Sequence, residues 1–112
     1  MAVVKRAPRR GEVWICTLDP TVGREIRKAR PCLVVTSDEM NNRVGTITIV
    51  PLTSGSWPAS YHVETVFDGK AGRLVPEQMR SLDRARFVKL LGTLDRSALF
   101  ATLAVLREMF EE

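Results

Sequence analysis

Apolar positions in this chain fall into short runs, each bounded by polar, proline- or glycine-bearing stretches, and only the C-terminal end changes to helical spacing. Gly11 opens the first run, residues 12–18, which is rich in strand formers and is stopped by Asp19-Pro20. Residues 21–30 form a long loop. Pro31 then leads into residues 32–36, an apolar run too short for a typical helix and read as a buried strand. Residues 37–43 are polar with room for one helical turn, and residues 44–53 carry the next strand around Ile47, Ile49 and Val50. Residues 54–58 are a loop by composition, and residues 61–67 alternate as a half-exposed strand. Asp68-Gly69 signals a hairpin turn, with residues 70–72 continuing the connection. Two short strands, 73–75 and 79–82, flank Pro76-Glu77-Gln78, and a last strand spans 88–94 with a bulge expected at Gly92. Asp95 is placed to cap a helix running to about Glu112. Its apolar stripe is Leu99, Leu103, Leu106 and Phe110, with Phe100 and Met109 beside it. The pattern predicts a small, β-rich barrel closed or plugged by the terminal helix.

Length and composition narrow the picture. A chain of 112 residues supports one core, so residues 11–112 are expected to form a single domain, with residues 1–10 as a flexible basic arm. Its 45% hydrophobic and 27% charged content is ordinary for a globular protein. No apolar run approaches the roughly 20 residues that span a bilayer. The N-terminal basic residues are not followed by an apolar stretch, so a signal peptide is not expected and the expected compartment is the cytoplasm. Cys16 and Cys32 lie in apolar runs without metal-ligand spacing and are read as core thiols. The net charge of +4 is uneven: through Arg30, eight basic residues face three acids, giving +5 and leaving −1 for the remainder. That concentration suits a polyanionic partner, although a solvated loop would carry it equally well.

Three polar sets sit at the ends of predicted strands, where a rigid scaffold presents functional groups. They are residues 23–31, residues 51–54 and residues 76–81. Cleavage of RNA through its 2′-hydroxyl needs a base for that hydroxyl, a cation or donor for charge building on phosphorus, and an acid for the departing 5′-oxygen. Glu25 is the candidate base. Arg30 offers a planar fork to phosphate, and Thr53 offers a hydroxyl. A plain surface pair between Glu25 and Arg30 and an ordinary strand role for Thr53 are the alternatives. Nothing in the chain clusters carboxylates for magnesium, so neither metal nor cofactor is expected. His62 is read as structural, in mid-strand and without a partner. Trp14 is read as core, and Trp57 as either a base-stacking or a loop-packing aromatic. By themselves these residues support a nucleic-acid-binding barrel and little more.

The ordered motifs resemble the MazF/PemK family of toxin endoribonucleases. They are Gly11-Glu12-Val13-Trp14, then Asp19-Pro20-Thr21-Val22-Gly23-Arg24-Glu25, then Arg30-Pro31 before an apolar strand, then Asn41-Asn42-Arg43, then Val50-Pro51-Leu52-Thr53-Ser54, and finally Glu77-Gln78-Met79-Arg80-Ser81-Leu82. Six such matches in order are far more specific than any one of them. The resemblance implies an SH3-like barrel with a C-terminal helix, assembled as a homodimer. It implies cleavage of single-stranded RNA at a short sequence, leaving a 2′,3′-cyclic phosphate and a 5′-hydroxyl. It also implies inhibition by an antitoxin whose disordered acidic segment fills the substrate groove. Arg30 and Thr53 match the family's catalytic positions and Glu25 its conserved loop acid. Arg24, Arg27, Lys28, Ser54, Glu77, Gln78 and Arg80 are the implied RNA contacts. The residue before Arg30 is His in some members and Ala29 here, which excludes a mechanism using that imidazole. An Arg found in the PemK branch two residues before the acid of the last block is Val75 here. The competing functions are a non-catalytic RNA-binding barrel and a gyrase-directed toxin like the CcdB family.

Overall fold

The computed structural model describes residues 6–55 and 57–112. In chain order the elements are β1 (Glu12–Thr17), β2 (Ala29–Val34), α1 (Asp38–Arg43), β3 (Thr46–Thr53), β4 (Val63–Phe67), β5 (Lys70–Leu74), β6 (Arg80–Asp83), β7 (Phe87–Thr93) and α2 (Arg96–Met109). All strand pairs are antiparallel, in the order β4-β5-β3-β2-β1-β7. One edge of β3 is shared: Thr46 to Ile49 pair with β6, and Leu52 and Thr53 pair with β5. The result is a mostly β, curled antiparallel sheet that forms a half-barrel with a C-terminal helix.

Alternation along β1, β2 and β3 divides the apolar residues between two cores. Trp14, Cys16, Cys32, Val34, Ile47 and Ile49 point to one face, where Leu82 and Phe87 complete the cluster. Val13, Leu33, Val50 and Leu52 point to the other, which is covered by α2 and by Leu74 of β5. Successive side chains on a strand face opposite ways, so a strand buried on both faces must be apolar at every position. That is the physical meaning of the unbroken run at residues 32–35. Cys16 and Cys32 are buried free thiols, as expected of core residues. The Cys32 thiol is pushed far up by its hydrogen bond to Cys16 and by burial.

Several boundaries differ from expectation. β2 begins at Ala29, so Arg30 and Pro31 lie in the strand rather than before it. The hairpin turn is confined to Asp68 and Gly69, both at positive φ (53° and 75°), and residues 70–72 belong to β5. Two left-handed residues in a two-residue loop match the twist of the flanking strands. The bulge near Gly92 is present, with Val13 opposite Gly92 but Trp14 opposite Leu90.

The terminal helix is capped by Asp95, whose carboxylate lies below its usual range because the Ser97 hydroxyl and the Ala98 amide donate to it. Ala98 and Thr102 are its buried residues, with Leu99, Leu103 and Leu106 alongside. Phe100, Met109 and Phe110 are exposed, which corrects their assignment to or beside the core stripe. Small side chains four residues apart let the helix approach the sheet closely, and this turns those aromatics outward.

The N-terminal basic segment is not a free arm over residues 6–10, and residues 1–5 lie outside the described residues. Glu12, buried at 7% exposure, binds Arg6 at 2.5 Å, the Arg9 amide at 2.7 Å and the Trp14 indole at 3.2 Å. The Arg84 guanidinium sits over the Trp14 ring and donates to the Arg6 carbonyl. Buried Asn41 donates to the Pro8 and Thr36 carbonyls and accepts from the Thr36 hydroxyl. The Asn of the sequence motif is thus a structural latch.

Burial alone would raise the Glu12 carboxyl, but donors from Arg6, Arg9 and Trp14 hold it below its ordinary value. Its contribution to stability is therefore complete above the unfolded pKa of about 4.3 and is lost as pH falls through the lower folded value. Glu12→Ala should cost about 2–4 kcal/mol, because the buried Trp14 indole, the part-buried Arg9 amide and Arg6 lose their acceptor. Urea denaturation on an acid series should show this loss, with the variant's stability falling less steeply than wild type below the unfolded pKa.

Candidate active site

Continuing the Cys32–Pro51 register by two residues brings Arg30 of β2 level with Thr53 of β3. Two clefts of about 450 Å³ each meet at this pair, since Arg30 and Thr53 line both. The first is basic. Arg24, Arg27, Lys28 and Arg30 line it together with Glu25, Glu77 and Gln78. The second carries more apolar side chains, Ile15, Pro31, Leu52, Phe67 and Leu91, beside Ser54, Asp68 and Lys70.

Arg30 is exposed, and its Nε donates to the Arg27 carbonyl at 3.1 Å. Its Nη groups have no protein partner among the described residues, nor do the charged ends of Arg24, Arg27 and Lys28. Glu25 does not pair with Arg30. Its carboxylate instead accepts from the Val22 amide at 2.5 Å, and its own amide donates to the Val22 carbonyl at 3.2 Å. The Thr53 hydroxyl oxygen accepts from the Gly55 amide at 3.2 Å, which leaves its hydrogen free to donate outward.

The loop carrying these charges is held from beneath. The Leu18 amide donates to the Lys28 carbonyl at 2.9 Å and closes the loop at its base. Lys28 takes φ 65°, a conformation uncommon for a side chain of its size. Gln78, expected as an RNA contact, spends both ends of its amide on the loop backbone: Oε1 accepts from Ile26 at 3.2 Å and Nε2 donates to Arg24 at 3.0 Å. Arg80, expected likewise, donates to the Leu18 carbonyl at 2.8 Å and does not line either cleft. Arg86 reaches the Thr17 and Asp19 carbonyls at 3.0 and 2.7 Å. Sequence reading did not single out Arg86, and a lone Arg near a strand start carries no local signal for such a role.

Glu77 does enter the basic cleft, and it brings a residue whose partner the sequence did not reveal. His62 precedes β4 rather than lying within it, and its Nε2 is 2.6 Å from Glu77 Oε2. The two are fifteen residues apart, beyond the reach of any local pattern. Trp14 is buried as expected, whereas Trp57 is fully exposed in the loop after β3. Among the described residues no three His, Cys, Asp or Glu side chains converge to hold a metal ion, and no helix is long and apolar enough to cross a membrane.

The class on view is a small, curled half-barrel with a cationic cleft at its strand ends. Comparison with known proteins makes the class specific. Residues 9–110 match the model of the PemK-like, MazF-like toxin of type II toxin–antitoxin systems, and the chain belongs to that family. The endoribonuclease MazF9 of Mycobacterium tuberculosis is 32% identical over 101 residues, covering 81% of this chain and 86% of that protein. The endoribonuclease PemK of Escherichia coli is 46% identical over 46 residues, a match spanning 41% of this chain and 35% of that protein. The crystal structure of MazF from Deinococcus radiodurans superposes with a TM-score of 0.84 at 24% identity, covering 94% of this chain and 97% of that one. A mycobacterial endoribonuclease in complex with its cognate antitoxin superposes with a TM-score of 0.76 at 20% identity, covering 91% and 93%.

Proposed function

We propose that this chain is a metal-independent endoribonuclease toxin that cleaves single-stranded RNA, mRNA included, at a short sequence in the cytoplasm. The observation that carries this reading is the Arg30–Thr53 pair: a guanidinium with free Nη groups, level with a free hydroxyl donor, in a cleft lined by four cations. The 2′-hydroxyl loses its proton to a carboxylate, with Glu25 as the assigned base. The 2′-oxygen forms a bond to phosphorus, and Arg30 and Thr53 bind the phosphoryl oxygens as charge builds there. The phosphorus–5′-oxygen bond breaks, and the departing oxygen takes a proton from solvent water while Glu25 returns the one it accepted to solvent. The products are a 2′,3′-cyclic phosphate and a 5′-hydroxyl. Arg24, Arg27 and Lys28 contact the backbone beside the scissile phosphate, with Ser54 and Glu77 along the groove. The names of the relatives, endoribonucleases and toxins found with antitoxins, support the same reading.

The test is cleavage of single-stranded RNA in EDTA. Cutting should persist, and a single 2′-deoxy substitution on the 5′ side of the scissile phosphate should abolish it while binding survives. Arg30→Ala should slow cleavage roughly 10²–10³-fold, as expected for one lost donor to the developing charge. Arg30→Lys should recover part of the rate, and Thr53→Ala should cost less than Arg30→Ala. A divalent-metal requirement or efficient cutting of the 2′-deoxy substrate overturns the mechanism. Binding without cleavage leaves an RNA-binding barrel.

The proposed assembly is a homodimer whose two protomers share the groove. Light scattering should give about twice the 12.6 kDa chain mass at micromolar concentration. A fully active monomer would rule this out.

The proposed inhibitor is an antitoxin with an acidic, partly disordered segment that lies against the cations of the basic cleft. Its affinity should fall steeply with salt, because exposed charges are screened over about 10 Å at 0.1 M. Isothermal titration at two ionic strengths measures this, and a salt-independent affinity would remove charge as the driver.

A further inference from the structure

We propose that His62 is a positioning residue of the ribonuclease site, fixing Glu77 as a carboxylate that faces the Arg30–Thr53 groove. The proposal rests on the ribonuclease reading above and adds to it a residue that touches no substrate. The His62 side chain is 6% exposed and that of Glu77 is 39% exposed, so the pair runs from the interior to the cleft wall. Nε2 and Oε2 are 2.6 Å apart, a short contact of the kind made when one partner is charged. Glu77 Oε1 has no hydrogen-bond partner among the described residues and remains available to a substrate hydroxyl.

The backbone beneath Glu77 is already fixed. A single 3-10 turn, Pro76–Gln78, follows Val75, whose amide donates to the Pro51 carbonyl of β3, two residues before Thr53. The next residue, Gln78, clamps the charged loop. What is left to settle is the rotamer of the Glu77 side chain, and His62 holds it. Its ring is packed edge-on to Tyr61 with centroids 4.9 Å apart, and its amide donates to the Ala59 carbonyl.

Buried Nδ1 has no partner among the described residues, and this selects the tautomer. With the proton on Nε2, the ring donates to Glu77 and buries only a lone pair at Nδ1. An imidazolium, or a proton on Nδ1, would bury an unpaired N–H. The favoured arrangement is therefore a ring that donates from Nε2 to the Glu77 carboxylate. The charged groups that line the same cleft are Arg24, Arg27, Lys28 and Arg30, with Glu25.

The experiment uses the full chain and a single-stranded RNA substrate selected from a randomised pool. His62→Ala should lower kcat roughly 10- to 100-fold, the scale of misplacing a group in a site, with KM changed much less. His62→Gln, whose amide can still donate to Glu77, should recover most of the rate. His62 is the single histidine of the chain, so nitrogen NMR of its imidazole is unambiguous. It should report the Nε2–H tautomer in the wild type, and a shifted tautomer balance in Glu77→Gln. An unchanged kcat in folded His62→Ala, equal losses in the Gln and Ala variants, or an imidazole spectrum indifferent to Glu77→Gln overturns the proposal. Failure of the wild type to cleave any RNA overturns the ribonuclease reading and the positioning role with it, while the NMR comparison still decides whether the His62–Glu77 pair exists.

Discussion

Burial of β1, β2 and β3 on both faces is the constraint on which the remaining structure depends. A strand with apolar neighbours above and below cannot hold a polar side chain in its middle without leaving it unsatisfied. In these strands the polar chemistry is therefore confined to the ends and to the loops that join them. Arg30 lies near the start of β2 and Thr53 is the last residue of β3. Because the two strands are antiparallel, the start of one meets the end of the other. Two residues twenty-three apart in sequence are brought level by register alone.

The same geometry creates a problem at that end of the sheet. Arg24, Arg27, Lys28 and Arg30 all lie within seven residues, and among the described residues no carboxylate forms an ion pair with any of them. Mutual repulsion favours an open, disordered loop. Hydrophobic burial supplies little against this, since only Leu18 at the loop's base and Ile26 pack on a core. The fold answers with directional bonds to the loop backbone, from Gln78, Arg80 and Arg86. Using side chains to hold backbone keeps the loop's own side chains unpaired and outward. Glu25 belongs to this arrangement as well, because its carboxylate binds the Val22 amide and not a neighbouring arginine.

These facts explain what could be read from the sequence and what could not. Strand runs, the Asp68-Gly69 turn, the Gly92 bulge and the Asp95 cap all follow from local sterics and were legible residue by residue. The cleft's cations were legible as a charge imbalance, and the family as ordered motifs. The helix stripe was misjudged because Ala98 and Thr102 set the buried face, and neither is a large apolar residue. The placement of residues 6–10 depends on Glu12, Asn41 and Arg84, contacts made across the fold. The same holds for Gln78 with the loop and for His62 with Glu77. Within a motif, an amide that grips backbone and an amide that grips RNA are the same letter.

A free cationic cleft is an unfavourable state that binding relieves. Each unpaired guanidinium or ammonium is open to water, so the free protein loses little by leaving it alone, yet four such cations together raise the local potential. Any polyanion that spans the cleft lowers that potential, whether it is an RNA backbone or an acidic peptide segment. On the proposed reading, substrate and antitoxin therefore compete through the same electrostatic term, and charge by itself does not tell them apart. What separates them is the Arg30–Thr53 pair. A phosphodiester there finds a planar fork and a hydroxyl donor matched to its oxygens, and it carries a 2′-hydroxyl one atom chain away from phosphorus. A carboxylate side chain fills the fork and brings no nucleophile. One cleft can thus be inhibited by charge and still be selective in what it cuts.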